Sequence, residues 1–284
     1  MASGGWSFED DRGESVEVAE RPRRVLAYGQ AAQTLARLGV PVVGYFGSQH
    51  QADSGTAAVA GLDVPSVGAG DAVDQELVDS LQPDLVVGVT YAGEVYGVSE
   101  AVAGKLAEIA PILLIRIAGE PDLKDVIGRF HALAEALGGT AEDSEQQLSD
   151  ALARLTSAAD GVQVLAFSGG TPTDAYVANP AYWPTLRLLA DAGVTFAPTS
   201  AKGGWEVVQW TDLGSSHPAG IYLYDQRPNS LGAEQLAEIP AWSELPAVAA
   251  GHVLAWNPEP PLTFEAAAAS ADTLAAAIAQ QQTG

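Results

Sequence analysis

Short runs of Val, Ile and Leu alternate with longer segments of helical period along most of this sequence. This alternation is typical of parallel sheets whose strands are joined by crossover helices, and it constrains the fold more than any other feature. The predicted strands form two sets, at 24–28, 41–46, 85–91 and 112–117, and at 162–167, 194–197, 221–224 and 253–256. Each set is sufficient for one Rossmann-like lobe, so the sequence predicts an α/β protein of two lobes.

A long amphipathic segment separates the two sets of strands. Its apolar residues recur at the three- and four-residue spacing of one helix face: Leu123, Val126, Ile127, Phe130, Leu133, Ala134 and Leu137. Gly138 and Gly139 end the pattern, and a helix from 122 to 137 would be about 24 Å long at roughly 1.5 Å per residue. The sequence therefore predicts an N-terminal lobe over 1–120, a single bridging helix over 121–139 and a C-terminal lobe over 140–284.

The two halves share weak internal similarity. T-L-A-R-L-G-V-P-V-V in the first half resembles T-L-R-L-L-A-D-A-G-V-T-F in the second, each a helix that ends at Gly before a strand. This similarity favours two lobes built alike. Joints of helix, Gly and strand also recur in α/β proteins in general, so both explanations stay open.

Composition narrows the classes of function. Lys and Arg total 13 against 36 Asp and Glu, a formal charge of −23 at pH 7, so we expect no nucleic-acid partner. The chain has no cysteine, which excludes disulfides, thiolate metal ligands and cysteine nucleophiles. No apolar run in the sequence reaches the roughly 18 to 20 residues of a membrane-spanning helix.

The usual catalytic signatures do not occur in the sequence. G-A-G-D-A-V-D has Val73 where a dinucleotide-binding motif needs its third glycine. P-loop and H-E-x-x-H motifs are missing, and Ser168 in F-S-G-G-T lacks the nucleophile-elbow sequence. We therefore predict that the protein is not an enzyme.

The four histidines, His50, His131, His217 and His252, are dispersed along the chain. No two of them have the spacing of metal ligands on one helix, so we predict no metal site. A site made of His and carboxylates brought together by folding is the alternative. His131 lies on the predicted bridging helix beside its apolar face, and we expect a packing or surface residue there.

Aromatic residues gather near the predicted carboxyl ends of strands, where open α/β sheets bind their ligands. Those in or at the ends of strands are Tyr28, Tyr45, Phe46, Tyr91, Phe167, Tyr222, Tyr224 and Trp256. Those expected in loops and helix starts are Tyr176, Tyr182, Trp183, Trp205 and Trp210. From these rings we take as predicted ligand contacts Tyr28, Tyr45, Phe46, Tyr91, Tyr176, Trp183, Trp205, Trp210, Tyr224 and Trp256, together with Ser168 and Arg116. Large rings suit a bulky, partly apolar ligand. A place in the core is the alternative for each ring, least so for Trp205, because K-G-G-W-E is typical of an exposed glycine loop.

Three segments carry a family resemblance: F-E-D-D-R-G-E-S-V-E-V-A-E-R-P-R-R-V-L-A-Y at the start, then L-G-V-P-V-V-G, then D-Q-E-L-V-D-S-L-Q-P-D-L-V-V-G. Together they resemble the helical-backbone binding proteins of ABC importers, which capture ferric siderophores, haem or cobalamin. The resemblance extends from about residue 8 to residue 279. It implies two lobes that face each other across a ligand cleft, with a rigid helix that permits only small closure.

The resemblance also implies docking on a membrane permease through one acidic residue of each lobe. Glu76, in Q-E-L-V-D-S-L-Q-P-D, matches the first of these residues. The second lobe has Q-W-T-D-L, with Thr211 where the family has Glu, so Asp212 or Glu206 is expected to substitute. We take Glu76 and Asp212 as the predicted docking residues.

The number of positive charges near the cleft helps to predict which of the family's ligands this chain binds. A ferric tricatecholate carries about three negative charges and needs several cations, for which Arg is the usual choice. Arg116 is the candidate in the first lobe, either facing the ligand or salt-bridged, and Arg187, Lys202 and Arg227 are weaker candidates in the second. Because aromatic residues outnumber these cations, we expect a hydroxamate siderophore that carries Fe(III). Cobalamin and haem are the alternatives.

The start, M-A-S-G-G-W, lacks the basic and apolar regions of a signal peptide and looks like the point just after a removed leader. Together with the resemblance, it predicts an exported binding protein, either a cell-surface lipoprotein or periplasmic. We expect a monomer without a cofactor of its own, whose partners are a ferric siderophore and an ABC permease. A two-lobed α/β enzyme and an adhesion or sensor module that reuses the fold are the alternatives.

Overall fold

The computed structural model of the protein describes residues 5–47, 62–119, 121–140, 143–159 and 161–283. By its packing the chain forms two compact units. The first unit contains Met1–Asp143 and Pro261–Thr263, and the second contains Ser144–Pro260 and Phe264–Gly284.

The first unit is a five-stranded parallel sheet preceded by a hairpin. Its strands are β1 (Trp6–Glu9), β2 (Ser15–Val18), β3 (Val25–Tyr28), β4 (Val42–Gly47), β5 (Ser66–Ala69), β6 (Leu85–Thr90) and β7 (Ile112–Arg116). Its helices are α1 (Gly29–Arg37), α2 (Gln75–Leu81), α3 (Glu100–Ile109) and α4 (Leu123–Ala136). β1 and β2 pair antiparallel, and the sheet has the order β5-β4-β3-β6-β7. The four strands predicted in this half are confirmed as β3, β4, β6 and β7.

Helix α4 confirms the long helix predicted after β7. The Asp122 side chain accepts a hydrogen bond from the N–H of Asp125, and the Asp125 carboxylate accepts one from the N–H of Asp122. This capping box fixes the start of the helix, and Gly138, with φ +80°, follows its end. Val126 and Phe130 on its apolar face are completely buried, so α4 packs within the first unit, against α1, β1 and β7.

The turn between β1 and β2 covers the outer edge of β7, the last strand of the sheet. The N–H of Leu114 donates to Asp10 Oδ2 at 3.2 Å, and the N–H of Arg116 donates to Asp11 Oδ2 at 2.8 Å. The N–H of Asp11 donates to the Leu114 carbonyl at 3.0 Å. The two carboxylates thus accept hydrogen bonds from backbone N–H groups of β7 that could otherwise pair with a strand of another chain.

Asp10 is the buried centre of this contact, with 3% of its surface exposed. Its carboxylate also accepts hydrogen bonds from the backbone N–H and Nε of Arg12, both at 2.8 Å, and from the N–H of Glu14 at 3.2 Å. Burial favours a higher pKa for this carboxyl, but the hydrogen bonds outweigh burial and lower its pKa below the ordinary value of 3.8.

The second unit is built on a mixed sheet of order β11-β9-β8-β12-β13, with β10 paired to β8. Its strands are β8 (Gln163–Gly169), β9 (Asp174–Ala178), β10 (Thr195–Phe196), β11 (Trp205–Gln209), β12 (Ile221–Asp225) and β13 (Val253–Trp256). Its helices are α5 (Glu145–Ala158), α6 (Pro184–Asp191), α7 (Trp210–Ser216), α8 (Ala233–Ala237), α9 (Pro240–Ser243), α10 (Pro246–Ala249) and α11 (Phe264–Thr283). The strands predicted in this half are confirmed as β8, β10, β12 and β13, which pair in parallel. In the described ranges, no helix combines the length and apolarity needed to cross a membrane.

Two apolar clusters form the core of the second unit. Successive residues of β8 alternate between them: Val164 and Ala166 belong to the cluster with residues of α5 and α11, whereas Leu165 and Phe167 belong to the other. Side chains of a strand point alternately to opposite faces. The sheet is therefore covered on both sides, which explains why β8 is a continuous apolar run.

Sequence analysis missed the antiparallel strands β9 and β11. Their pairing aligns Trp205 with Ala178 and Val207 with Tyr176. The expectation that Tyr176 and Trp205 lie in loops is therefore wrong. These short segments mix polar and apolar residues, and their strand conformation depends on hydrogen bonds to a partner that is distant in the sequence.

We predict that replacing Asp10 by Ala lowers the free energy of unfolding by about 2–4 kcal/mol, because buried donors lose their acceptor. The pKa of Asp10 is lower in the folded protein than in the unfolded chain. Its contribution to the free energy of unfolding is therefore complete above the unfolded pKa of about 4, and it is lost as pH falls through the native pKa. Urea unfolding at pH 7 and at pH 3 measures both effects. The control is Glu17→Ala, which removes an exposed carboxylate of the same hairpin. Equal stability of the two variants at pH 7 would contradict this role.

Candidate functional site

The carboxyl edge of the first sheet is the place where an open α/β sheet binds its ligands. Four of the predicted residues lie there: Tyr28 ends β3, Phe46 is near the end of β4, Tyr91 follows β6 and Arg116 ends β7. The register of β6 and β7 aligns Thr90 with Arg116. Parallel pairing therefore brings residues from four strands to one edge.

The tyrosines of this edge differ in exposure. Tyr28, Tyr45 and Phe46 are 1%, 3% and 0% exposed, so these predicted ligand contacts lie in the core. Tyr91 and Tyr96 are partly exposed, and their ring centroids lie 4.7 Å apart. Tyr96 also contacts the Tyr28 ring at 5.4 Å. The buried rings thus support the two tyrosines that retain exposed surface.

A pocket of about 190 Å³ opens in the loop that follows β6, lined by residues 91, 92 and 94–98. Sequence analysis included Tyr91 but missed Tyr96 in T-Y-A-G-E-V-Y-G. Two tyrosines within one glycine-rich loop after a buried strand are the signal that would have found it. Gly97 has φ +92°, and a Cβ there would come within 2.9 Å of the Tyr28 ring. The loop therefore requires glycine at this position.

Arg116 offers a positive charge at this edge. Its backbone N–H is bound by Asp11, but its guanidinium makes no hydrogen bond or ion pair to the part of the chain that the structure describes. The neighbouring Arg129 is engaged instead: its Nε donates to Asp11 Oδ1 at 2.6 Å. Of the two alternatives for Arg116, a salt bridge is thereby absent from the described residues, and the guanidinium is available to an acceptor on a ligand.

Arg227, near the carboxyl edge of the second sheet, differs from Arg116 because its guanidinium is ion-paired. Its NH2 group lies 2.7 Å from Asp225 Oδ2, and its NH1 group lies 2.9 Å from Glu259 Oε1. Asp225 is completely buried, Glu259 is 7% exposed, and the Arg227 side chain is 13% exposed. Arg227 is therefore engaged by two carboxylates of its own unit. The other candidate cations differ, since Lys202 is exposed in a loop and Arg187 is half-buried in α6.

Ser168 lies near the end of β8 and is 6% exposed. Next to it, the N–H of Gly169 donates a hydrogen bond to Ser230 Oγ at 2.9 Å. Tyr224, on the neighbouring strand β12, is partly exposed. Tyr176 of β9 packs its ring against Gly170, where a Cβ would meet it at 2.5 Å. Tyr176 and Tyr224 are thus the predicted tyrosines of this unit that keep exposed surface.

Three of the predicted tryptophans form a cluster. The ring centroids of Trp183 and Trp205 lie 5.1 Å apart, and those of Trp205 and Trp256 lie 6.1 Å apart. Trp183 donates its Nε1–H to the Gly204 carbonyl at 2.9 Å. Trp183 and Trp256 are 7% and 6% exposed, whereas Trp205 is partly exposed. Burial raises the pKa of the adjoining Tyr182.

Trp210 does not join this cluster. Its ring packs against Phe167 and Trp242 at 5.7 and 5.8 Å, in the other apolar cluster of the sheet, and it is 3% exposed. Its Nε1–H donates to the Thr171 carbonyl at 2.9 Å. The structure thus separates Trp210 from the tryptophans with which it was grouped.

The acidic residues considered for docking have different environments. Glu76 and Asp212 are exposed in the first turns of α2 and α7. Glu206 accepts hydrogen bonds from Thr199 Oγ1 at 2.7 Å and from the N–H of Ser200 at 2.6 Å, and His217 Nε2 lies 3.5 Å away. Burial favours a higher pKa for Glu206, but these groups lower its pKa to about 2. Glu206 is therefore bound internally, and Asp212 is the accessible carboxylate.

The histidines do not assemble into a metal site within the described ranges, where no group of three His, Cys, Asp or Glu residues is placed to hold an ion. His131 Nε2 lies 2.8 Å from Asp143 Oδ2, and His217 Nδ1 lies 2.8 Å from Ser216 Oγ. His252 is half-buried before β13. His50 lies outside the described residues.

Comparisons with known proteins place the chain in a family. The family model described as periplasmic binding protein matches residues 25–260. Among solved structures, DesE, a ferric-siderophore receptor protein from Streptomyces coelicolor, is 30% identical with a TM-score of 0.86, over 96% of this chain and 97% of its own. None of the curated proteins compared with the sequence matches it.

Two more distant structures share the fold. The siderophore periplasmic binding protein from the fuscachelin gene cluster of Thermobifida fusca is 19% identical with a TM-score of 0.67, over 91% of this chain and 97% of its own. A periplasmic solute binding protein from Mycobacterium smegmatis is 18% identical with a TM-score of 0.63, over 98% of both chains. The match of the family model and the 30% identity to DesE show that this chain belongs to the periplasmic binding protein family.

Proposed function

We propose that the protein is the substrate-binding component of an ABC importer, and that it captures a ferric siderophore and delivers it to a membrane permease without catalysing a reaction. The observation that carries this proposal is the similarity to DesE, a ferric-siderophore receptor protein, at 30% identity over 96% of the chain. The protein is then exported and acts as a monomer at the cell surface or in the periplasm. A lipid anchor is part of the same proposal.

The chemistry of the sheet edges supports capture of a bulky, partly apolar solute. The first edge offers the partly exposed rings of Tyr91 and Tyr96, and it carries the guanidinium of Arg116, which has no partner among the described residues. The second unit offers the partly exposed rings of Tyr176 and Tyr224. Rings supply apolar contact area at a small entropic cost, and a guanidinium donates charge-assisted hydrogen bonds to ligand oxygens.

The charges favour a hydroxamate siderophore over a tricatecholate. A ferric tricatecholate with about three negative charges needs several free cations. Arg227 is paired with Asp225 and Glu259, so its guanidinium is already engaged and is not a free cation for such a ligand. Arg116 alone donates well to the oxygens of a hydroxamate complex, which is neutral or cationic when it holds Fe(III).

We further propose that Glu76 and Asp212 are the carboxylates that dock on arginines of the permease. Both are exposed near helix starts, and neither has a hydrogen bond or ion pair through its carboxylate within the described part of the chain. Glu206, the other candidate of the second unit, is held by Thr199 and Ser200.

Quenching of tryptophan fluorescence tests the ligand class. We expect a ferric trihydroxamate to bind with nanomolar to micromolar affinity, about −8 to −12 kcal/mol, and more tightly than a ferric tricatecholate, cobalamin or haem. Arg116→Met should weaken hydroxamate binding about 10- to 100-fold through loss of charge-assisted hydrogen bonds, whereas Lys105→Met, at an exposed lysine of α3, should not. No response to any of these ligands would sink the proposed function, and tighter binding of the tricatecholate would overturn the hydroxamate class.

Charge reversal tests the docking residues. We expect Glu76→Arg and Asp212→Arg each to lower cellular uptake of siderophore iron about tenfold or more, because like charges then face each other. Siderophore affinity in solution should change less than about twofold. Glu108→Arg and Glu234→Arg, at exposed positions of α3 and α8, are the matched controls. Uptake that falls equally in the controls, or stays intact in both docking variants, would refute this assignment.

The hydrogen bonds that Glu206 accepts from Thr199 and Ser200 give it a structural role. Glu206→Gln should lower the free energy of unfolding at pH 7 by about 1–2 kcal/mol. Since its native pKa is lowered from 4.5 to about 2, the difference from the unmodified protein should shrink as pH falls through that window. Chemical unfolding at a series of pH values measures the trend. A difference that persists unchanged at pH 2 would contradict the assignment.

A further inference from the structure

Hydrogen bonds from backbone N–H groups tie the loop that forms the pocket after β6 to the neighbouring strands. The N–H of Gly93 donates to Thr90 Oγ1 at 2.6 Å, and the N–H of Tyr96 donates to the Val89 carbonyl at 3.0 Å. The N–H of Gly70 donates to the Gly97 carbonyl at 2.9 Å, which ties the loop to the end of β5. The loop is therefore held in shape by strands on two sides, and a ligand that enters it meets a preorganised site.

The two tyrosine rings of this pocket pack against each other and against buried rings beneath them. Tyr91 and Tyr96 meet edge to face, with 64° between their planes, and both retain exposed surface. The Tyr96 ring rests on Tyr28, which in turn contacts Phe46 at 5.9 Å. Aromatic faces carry negative partial charge and attract cations within about 6 Å of the ring centroid.

Glu94 is the one charged residue among those that line the pocket. It is exposed, and its carboxylate makes no hydrogen bond or ion pair with the residues that the structure describes. Two tyrosine rings and a carboxylate repel an anion and attract an organic cation, and the volume of about 190 Å³ admits an alkylammonium group.

We propose that Tyr91, Glu94 and Tyr96 form a subsite for a primary ammonium group carried by the captured solute. The inference rests on the proposed function and deepens it, since it assigns a second chemical feature to the ligand beside its iron-binding groups. Arg116 and the ammonium subsite then act on different parts of the ligand: the guanidinium on oxygens and the subsite on a cationic end.

Two linear ferric trihydroxamates that differ only in one end test the subsite: one ends in a primary amine, the other in the N-acetylated amine. The protein should bind the amine form about 5- to 20-fold more tightly. This preference should fall as salt is raised, because the carboxylate is exposed to solvent. Fluorescence quenching with each complex measures it.

Variants separate the carboxylate from the rings. Glu94→Gln should reduce the preference to within about twofold, and Glu94→Lys should reverse it, while both keep the affinity for the acetylated complex. Tyr96→Phe should retain the preference because the aromatic face remains, whereas Tyr96→Leu should lower it several-fold. Glu100→Gln, an exposed carboxylate at the start of α3, is the matched control and should leave the preference unchanged.

The outcomes distinguish the subsite from the proposed function. Equal binding of the two complexes by the unmodified protein would overturn the subsite and leave siderophore capture standing. A preference that survives in Glu94→Lys would likewise overturn it. Binding of neither complex would overturn the proposed function and this inference with it.

Discussion

Parallel pairing of β3, β4, β6 and β7 is the constraint on which the rest of the first unit depends. Because these strands run in one direction, their carboxyl ends meet at one edge, and residues that are far apart in the sequence become neighbours. The register of β6 and β7 sets Thr90 opposite Arg116. The loop that carries Tyr91 and Tyr96 starts directly from that edge and is bound back to β6. The turn at Asp10 and Asp11 closes the free side of β7, so the sheet that orders these groups is itself protected at its edge.

Local groups decide what this strongly acidic protein attracts. The formal charge of −23 is spread over the whole chain, and its effect is screened beyond a Debye length of about 8 Å at physiological salt. At the carboxyl edge of the first sheet, the Arg116 guanidinium and the Glu94 carboxylate have no hydrogen-bond or ion-pair partner among the described residues. In the second unit, by contrast, Arg227 is paired with two carboxylates. These local charges are the reason for proposing a ligand that is neutral or cationic overall and presents oxygens to Arg116.

Much of the fold could be predicted because its signals are local. The apolar runs identified β3, β6 and β12, since strands covered on both faces are apolar throughout. The three- and four-residue spacing identified α4 to within one residue at each end. β9 and β11 were missed because short antiparallel strands of mixed polarity depend on their partner rather than on their own pattern. The site was predicted less well: Tyr28 and Tyr91 both end apolar runs, yet neighbouring elements bury the first and leave the second accessible.

Periodicity and composition alone determined the α/β class, the division into two sets of strands, the helix between them and the lack of cysteine chemistry. Tertiary structure decided which charged and aromatic side chains a ligand can reach. Arg116 and Arg227 were both candidate cations in the sequence, and only the structure separates them. Glu259, 32 residues from Arg227 along the chain, pairs with it, whereas the guanidinium of Arg116 has no such partner among the described residues. The physical reason is that availability of a charge depends on neighbours in space, and a single sequence records neighbours only along the chain.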